Sequence, residues 1–150
     1  MNSAQLAEIV ARDAADGVGQ HVVRALIVRS GRALMLRRPA HEFRGGVWEM
    51  PGGKVEPHDG DLLDALRREV HEETGLAVTG FTRYLAAFDY TNRKGRYVRQ
   101  HTWAVTVTGE RVQLSEHDAY TWTNASDTHP ISPEDRDLIN RHALRPRALP

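Results

Sequence analysis

Glu69, Glu72 and Glu73 stand at positions i, i+3 and i+4, so on an α-helix their side chains share one face, about 5–6 Å apart at Cβ. Like charges at that spacing repel each other. A helix that crowds carboxylates in this way is either a solvated face or a site for a hard cation, because Mg²⁺ and Mn²⁺ take oxygen ligands and turn the repulsion into binding. Spacing alone leaves both readings open. The eight histidines show no paired metal-ligand spacing, and His71, beside Glu72 and Glu73, lacks the second histidine of a zinc-protease motif.

Such carboxylates need a rigid helix and a backbone that can approach them. Pro51-Gly52-Gly53 stops a short strand, Val47-Trp48-Glu49-Met50, with glycines that allow conformations and contacts a Cβ forbids. Lys54 to Gly60 reads as loop. Asp61 is placed to cap the helix, with Asp64 at its third position in a loose capping box, and Gly75 closes it. Leu62, Leu66 and Val70, with Leu63 beside them, form the apolar stripe, so the glutamates face elsewhere.

The remaining elements frame this unit. Residues 3–15 form an amphipathic helix with Leu6, Ile9, Val10 and Asp13 along one side, Ser3 as N-cap and Asp16-Gly17 as its stop; functionally it reads as a frayed extension with no role in the site. His21 to Val28 and Ala33 to Leu36 flank the turn Ser30-Gly31-Arg32 as a β-hairpin, and residues 39–46 are loop. Phe81 to Tyr90 and Tyr97 to Val107 form a second hairpin around a basic turn. Ala119 to Trp122 is a short strand, and Ser132-Pro133-Glu134-Asp135 opens a last helix that runs to about Leu144. Helices are interspersed with hairpins instead of alternating with single strands, which predicts a mixed sheet covered by helices on its faces.

A chain of 150 residues can bury its own core without a metal or disulfide staple. Lys+Arg and Asp+Glu number 20 each, so no global basic field drives binding to nucleic acid or an anionic membrane. The absence of cysteine excludes disulfides, thiolate zinc sites and cysteine nucleophiles, and it fits a reducing compartment. No leader pattern opens the chain and no apolar run is long enough to span a bilayer, so the expectation is an unprocessed, soluble, cytoplasmic protein.

Written out, Arg68-Glu69-Val70-His71-Glu72-Glu73-Thr74-Gly75-Leu76 behind a Gly-Gly loop closely resembles the signature of the Nudix (MutT-like) hydrolases. That box reads Gly, five residues, Glu, seven residues, then Arg-Glu-apolar-any-Glu-Glu-any-Gly-apolar. Its second half is matched at every specified position, and Trp48 to Gly53 looks like the family's approach to the box. The first half departs. One extra residue lies between Gly53 and Gly75, and counting back from Arg68 puts Gly60 where the family has glutamate, with Asp59 and Asp61 on either side. A loop longer by one residue accounts for this, with Asp61 or Asp59 supplying the lost carboxylate.

The resemblance implies a Nudix-type α/β/α sandwich, a mixed β-sheet flanked by helices, as one domain over residues 1–150, with a helical extension at 1–17 and a C-terminal helix at 132–144. It further implies hydrolysis of the phosphoanhydride in a nucleoside diphosphate linked to another moiety, with Mg²⁺ or Mn²⁺ as cofactor. Glu69, Glu72, Glu73 and the Gly52 carbonyl become metal ligands, Arg68 the residue that holds a glutamate in place, and one of these glutamates, or Glu116 on a later loop, the general base; the alternative for Glu116 is an exposed loop residue beside His117 and Asp118. A pyrophosphate is an anion with a poorly electrophilic phosphorus, so cations, an activated water and in-line geometry are what the chemistry requires. Arg37, with Arg38 and Arg44 behind it, corresponds to an arginine that contacts substrate phosphate in family members; the alternative is a surface salt bridge. Arg93 and Arg96 in the basic turn suit phosphate oxygens or form a solvated tip. Asn124 is placed to read a base edge.

The expected substrate is a small nucleotide, with neither nucleic acid nor membrane as partner, and homodimers are frequent in the family. Nucleoside triphosphate pyrophosphohydrolase is the leading activity, with ADP-ribose or nucleotide-sugar pyrophosphatase as the alternative. A non-catalytic nucleotide-binding sensor is the reading from another class, and the intact glutamate triad argues against it.

Overall fold

A computed structural model describes all residues except 125, 128 and 144–150. In chain order the elements are α1 (Ser3–Ala15), β1 (Gln20–Arg29), β2 (Arg32–Arg37), β3 (Trp48–Glu49), β4 (Gly52–Lys54), α2 (Leu62–Thr74), β5 (Ala77–Thr91), β6 (Tyr97–Thr108), β7 (Ala119–Thr123) and α3 (Pro133–His142). The predicted end of the last helix at Leu144 lies outside the described residues.

Period-two alternation in the central strands explains the layers. Along β1, Val23, Ala25 and Ile27 enter one core with Leu34 and Leu36 of β2, while Leu26, Ala33 and Met35 enter another on the opposite face. Helix α2 covers the first face with Leu62, Leu66 and Val70, and α1 adds Leu6; α3 covers the second with Ile139. Burying each of these large side chains contributes about 1.5–3 kcal/mol. The strand order is β3-β2-β1-β6-β5, with β4 also on β1 and β7 also on β2. β1 and β6 run parallel and the other pairs antiparallel, so the expected mixed sheet between helical layers is present.

Local chemistry accounts for the joints. Ser30 and Gly31 both take positive φ, 50° and 73°, which suits the two-residue turn of the β1–β2 hairpin. Three register shifts along β5 break its alternation, which is why its start at Ala77 lies before the predicted Phe81. The N-cap of α1 is Asn2, not Ser3: Asn2 is extended and exchanges 2.9 Å hydrogen bonds with Gln5 in a capping box.

The extension is not frayed. Asp13 is buried, and its Oδ2 lies 2.7 Å from both His21 Nε2 and His101 Nε2 while its Oδ1 accepts from Arg99 Nη1 at 2.8 Å. Tyr84 Oη, 2.7 Å from His101 Nδ1, continues the network into β5. These three ligand-type side chains cluster within 4.8 Å, yet both carboxylate oxygens are already bonded and a guanidinium stands beside them, so the cluster reads as the anchor of α1.

Candidate functional site

The predicted glycine loop is in part a strand. Gly52, Gly53 and Lys54 pair with Arg24, Val23 and Val22 of β1. Gly52 has φ +151°, and a Cβ there would fall 1.9 Å from the Val23 carbonyl oxygen, so only glycine fits. At Gly53 an added Cβ would stand 2.7 Å from the Glu69 carboxylate. The short strand thus presses backbone directly against α2.

Above it opens a cleft of about 930 Å³ lined by Arg24, Glu49, Gly52, Glu69, Glu73, Glu116, His117 and Asp135 among others. The Gly52 N–H donates to Glu73 Oε2 at 3.1 Å. Glu72 does not line the cleft: 56% of its side chain is exposed, and it accepts from Arg68 Nη1 at 3.2 Å. Arg68 also donates to Glu69 at 3.0 Å, to the Lys54 carbonyl at 3.1 Å, and to both oxygens of Asp59 at 2.8 Å. Asp61 instead caps α2, accepting from the Asp64 N–H at 2.8 Å; only this half of the capping box forms among the described residues.

The acids of the cleft divide into two electrostatic kinds. Burial disfavours the charged form of Glu49, but the His117 hydrogen bond and the Arg24 and Arg38 guanidiniums override it and bring the carboxyl to about 2. Arg68 likewise holds Asp59 at about 2. Burial instead pushes Glu73 up to about 7, with Arg24 and the Gly52 N–H only partly offsetting it. Glu69 is raised for the same reason, with Arg68 offsetting. Asp135, at the start of α3, is raised to about 6 by burial despite Arg24. Glu69 and Glu73 therefore form a half-buried acidic pair whose charge Arg68 and Arg24 only partly offset, beside the Gly52 backbone.

Among the other predicted residues, Glu116 and Arg93 line the cleft, and the Arg93 guanidinium lies 4.6 Å from the Phe43 ring centroid. Arg38 and Arg44 line it too. Arg37 does not: its Nε donates to Asp118 at 2.6 Å and its guanidinium sits 5.6 Å from the Trp48 ring. Arg96 lines a neighbouring groove. Asn124 lines neither, and its Oδ1 accepts from Ser126 within a local turn.

Four cleft residues escape the sequence reading. Arg24 reaches the Met50 carbonyl at 3.3 Å and Glu49 at 3.6 Å, His117 lies 3.0 Å from Glu49, and Asp135 lines the wall. An arginine inside the apolar run His21–Val28 and a glutamate between Trp48 and Met50 were the available signals for the first two.

Residues 19–142 match the model of the NUDIX domain. The chain is 37% identical over 120 residues to the CTP pyrophosphohydrolase of Escherichia coli (strain K12), covering 79% of this chain and 87% of that protein. It is 25% identical over 107 residues to the 8-oxo-dGTP diphosphatase of Buchnera aphidicola subsp. Schizaphis graminum (strain Sg), covering 71% and 78%. Among solved structures, the E. coli ORF135 protein superposes with a TM-score of 0.67 at 36% identity, over 80% of this chain and 85% of that one. A MutT Nudix hydrolase from Burkholderia pseudomallei gives 0.69 at 26% identity, over 80% and 95%. With its acidic helix, its glycine strand and these relatives, the chain belongs to the Nudix hydrolase family.

Proposed function

We propose that this Nudix hydrolase is a pyrophosphohydrolase that converts a nucleoside triphosphate to the monophosphate and pyrophosphate. The observation that carries the reading is the half-buried pair Glu69 and Glu73 beside the Gly52 backbone, whose carboxyls burial raises despite partial compensation by Arg68 and Arg24. A donor set of carboxylate and carbonyl oxygens without sulfur fits a hard divalent ion, held by Glu69, Glu73 and the Gly52 carbonyl, with the exposed Glu72 on the same helix as a further carboxylate. Bound Mg²⁺ or Mn²⁺ supplies charge neutralisation for the phosphates and an acidified water.

The protein's own groups account for the rest. The water oxygen bonds to phosphorus, the bridging P–O bond breaks with its electron pair on the pyrophosphate, and the water's proton passes to a carboxylate. Glu116 suits that role, because it lines the cleft and has no bonded partner among the described residues. Asp59 takes the place of the lost box glutamate by fixing Arg68, which fixes Glu69 and Glu72. Asp135, buried and without a side-chain partner among the described residues, suits a nucleobase edge. Exposed Phe43, Phe88 and Tyr90 line the same cleft as stacking surfaces. The triphosphate preference also draws on the relatives named for CTP and 8-oxo-dGTP.

The test is a panel of nucleoside triphosphates, ADP-ribose and nucleotide sugars assayed with Mg²⁺ and Mn²⁺. Release of pyrophosphate from triphosphates, abolished by Glu73→Gln, is the expected result. Turnover confined to ADP-ribose or sugar nucleotides would displace the proposal.

A further inference from the structure

A second groove, of about 700 Å³, shares Gln20, Lys54 and Lys94 with the main cleft. Arg96 is added on its cationic side, and Val55 and Pro57 form an apolar wall. The side chains of Lys54, Lys94 and Arg96 have no hydrogen bond or ion pair among the described residues. Glu56 is the single carboxylate in the lining and is exposed. That contrasts with Arg68 and Arg99, each tied to several acids.

The cations are held ready by backbone geometry. Asn92 Oδ1 accepts from the N–H groups of both Lys94 and Arg96 at 2.9 Å, which fixes the β5–β6 turn and leaves both side chains free. Lys54 follows Gly53, the glycine packed on Glu69, so the groove begins one residue from that glycine, and Lys54 lines the main cleft together with Glu69 and Glu73. Free cations beside the acidic pair suit an anion that continues past the reacting phosphorus.

We propose that this groove holds the terminal phosphates of the substrate, the part that leaves as pyrophosphate, and so favours nucleotides ending in a free polyphosphate over those carrying a sugar at that end. The assignment rests on the reading of Glu69 and Glu73 as the hydrolytic centre. When the bridging P–O bond breaks, the electron pair stays on the departing phosphate oxygen. Lys54, Lys94 and Arg96 offer N–H donors to that charge, and arginine can do so with two parallel bonds.

Titration calorimetry of the metal-free protein, with inorganic tripolyphosphate and a nucleoside monophosphate as separate probes, tests this. Lys94→Ala and Arg96→Ala should each raise the tripolyphosphate Kd about tenfold, the scale of one charged hydrogen bond, and shift the monophosphate Kd less than about twofold. Arg96→Lys should recover most of the loss. Both residues sit in an exposed turn, so circular dichroism should show the fold intact. Unchanged tripolyphosphate binding in both variants, or an equal loss for the two probes, overturns the proposal. Failure of the hydrolytic reading shows separately, as absence of nucleotide turnover by the unaltered protein.

Discussion

Asp59 and Arg68 meet through two 2.8 Å hydrogen bonds, Nε to Oδ1 and Nη2 to Oδ2, with the Asp59 side chain only 3% exposed. Asp59 also accepts from the Glu56 N–H at 2.8 Å, so the longer loop is tied to the acidic helix through one carboxylate. Asp59→Asn keeps the size but loses one paired acceptor and the charge. It should lower Mg²⁺ affinity and kcat/KM by about 10–100-fold, as loss of a ligand's supporting partner does. Titration with Mn²⁺ and steady-state kinetics check this; full activity in Asp59→Asn would refute the role.

Asp61 should behave differently, because its carboxylate caps α2. Asp61→Ala should cost about 1 kcal/mol of stability, while Asp61→Asn, an equally good cap, should be close to neutral. In a chain of this size the alanine variant melts about 2–4 °C lower. Metal affinity should be retained in the asparagine variant. Thermal melts and Mn²⁺ titration on the same preparations separate the cap from the support.

Glu73→Gln tests whether the buried acid is held at a cost until a cation arrives. The amide can still accept the Gly52 N–H but carries no charge. Above pH 7 the metal-free variant should melt higher than the unaltered protein, and added Mg²⁺ should no longer raise its Tm. An unaltered or lower metal-free Tm would count against an incompletely compensated charge at this position.

The anchor of α1 makes stability depend on pH. Burial opposes the charged form of Asp13, but hydrogen bonds from Arg99, His101 and His21 hold its carboxyl below the ordinary 3.8. Its contribution is therefore present above 3.8 and lost as pH falls through the lower folded value. Burial holds His101 below its ordinary 6.5 even beside Asp13, so the neutral ring contributes above 6.5 and that part is lost as pH falls below it. Both act in the same direction. Urea unfolding at pH 8 and pH 5 should show a loss of stability on acidification that shrinks in His101→Gln, and Asp13→Ala should cost about 3 kcal/mol at pH 8.

Asp135→Asn should change base preference more than rate. An ionised carboxylate only accepts, whereas an amide both accepts and donates, so the ratio of kcat/KM between triphosphates differing in base should shift by about tenfold. A uniform loss across the panel would point to a structural role instead.

The features legible in the sequence were those written in contiguous residues. α2 declared itself through its apolar period, its Asp61 cap and Gly75, and the Ser30-Gly31 hairpin through its turn chemistry. What stayed hidden depends on strands meeting. Arg24 reaches the cleft because β1 pairs with both β4 and β6, a relationship no local pattern encodes. Asp59 and Asp61 look interchangeable in the chain, and only the path of the loop gives one a guanidinium and the other a helix end. Asp13 read as the edge of an amphipathic face, since its partners His101 and Arg99 lie far along the chain in β6.

Gly53 stands directly against the Glu69 carboxylate. Its contribution to the site is an absent methyl group: the Glu69 carboxylate occupies space that any other residue's Cβ would need, at 2.7 Å. A relative with every glutamate of the helix intact but alanine at this position would still match the helical half of the box, Arg68 to Leu76, at every specified position. Its fold would survive, while its glutamate would be displaced from the strand. For sorting active from inactive members of such a family, the smallest residue near the carboxylates is as diagnostic as the carboxylates themselves.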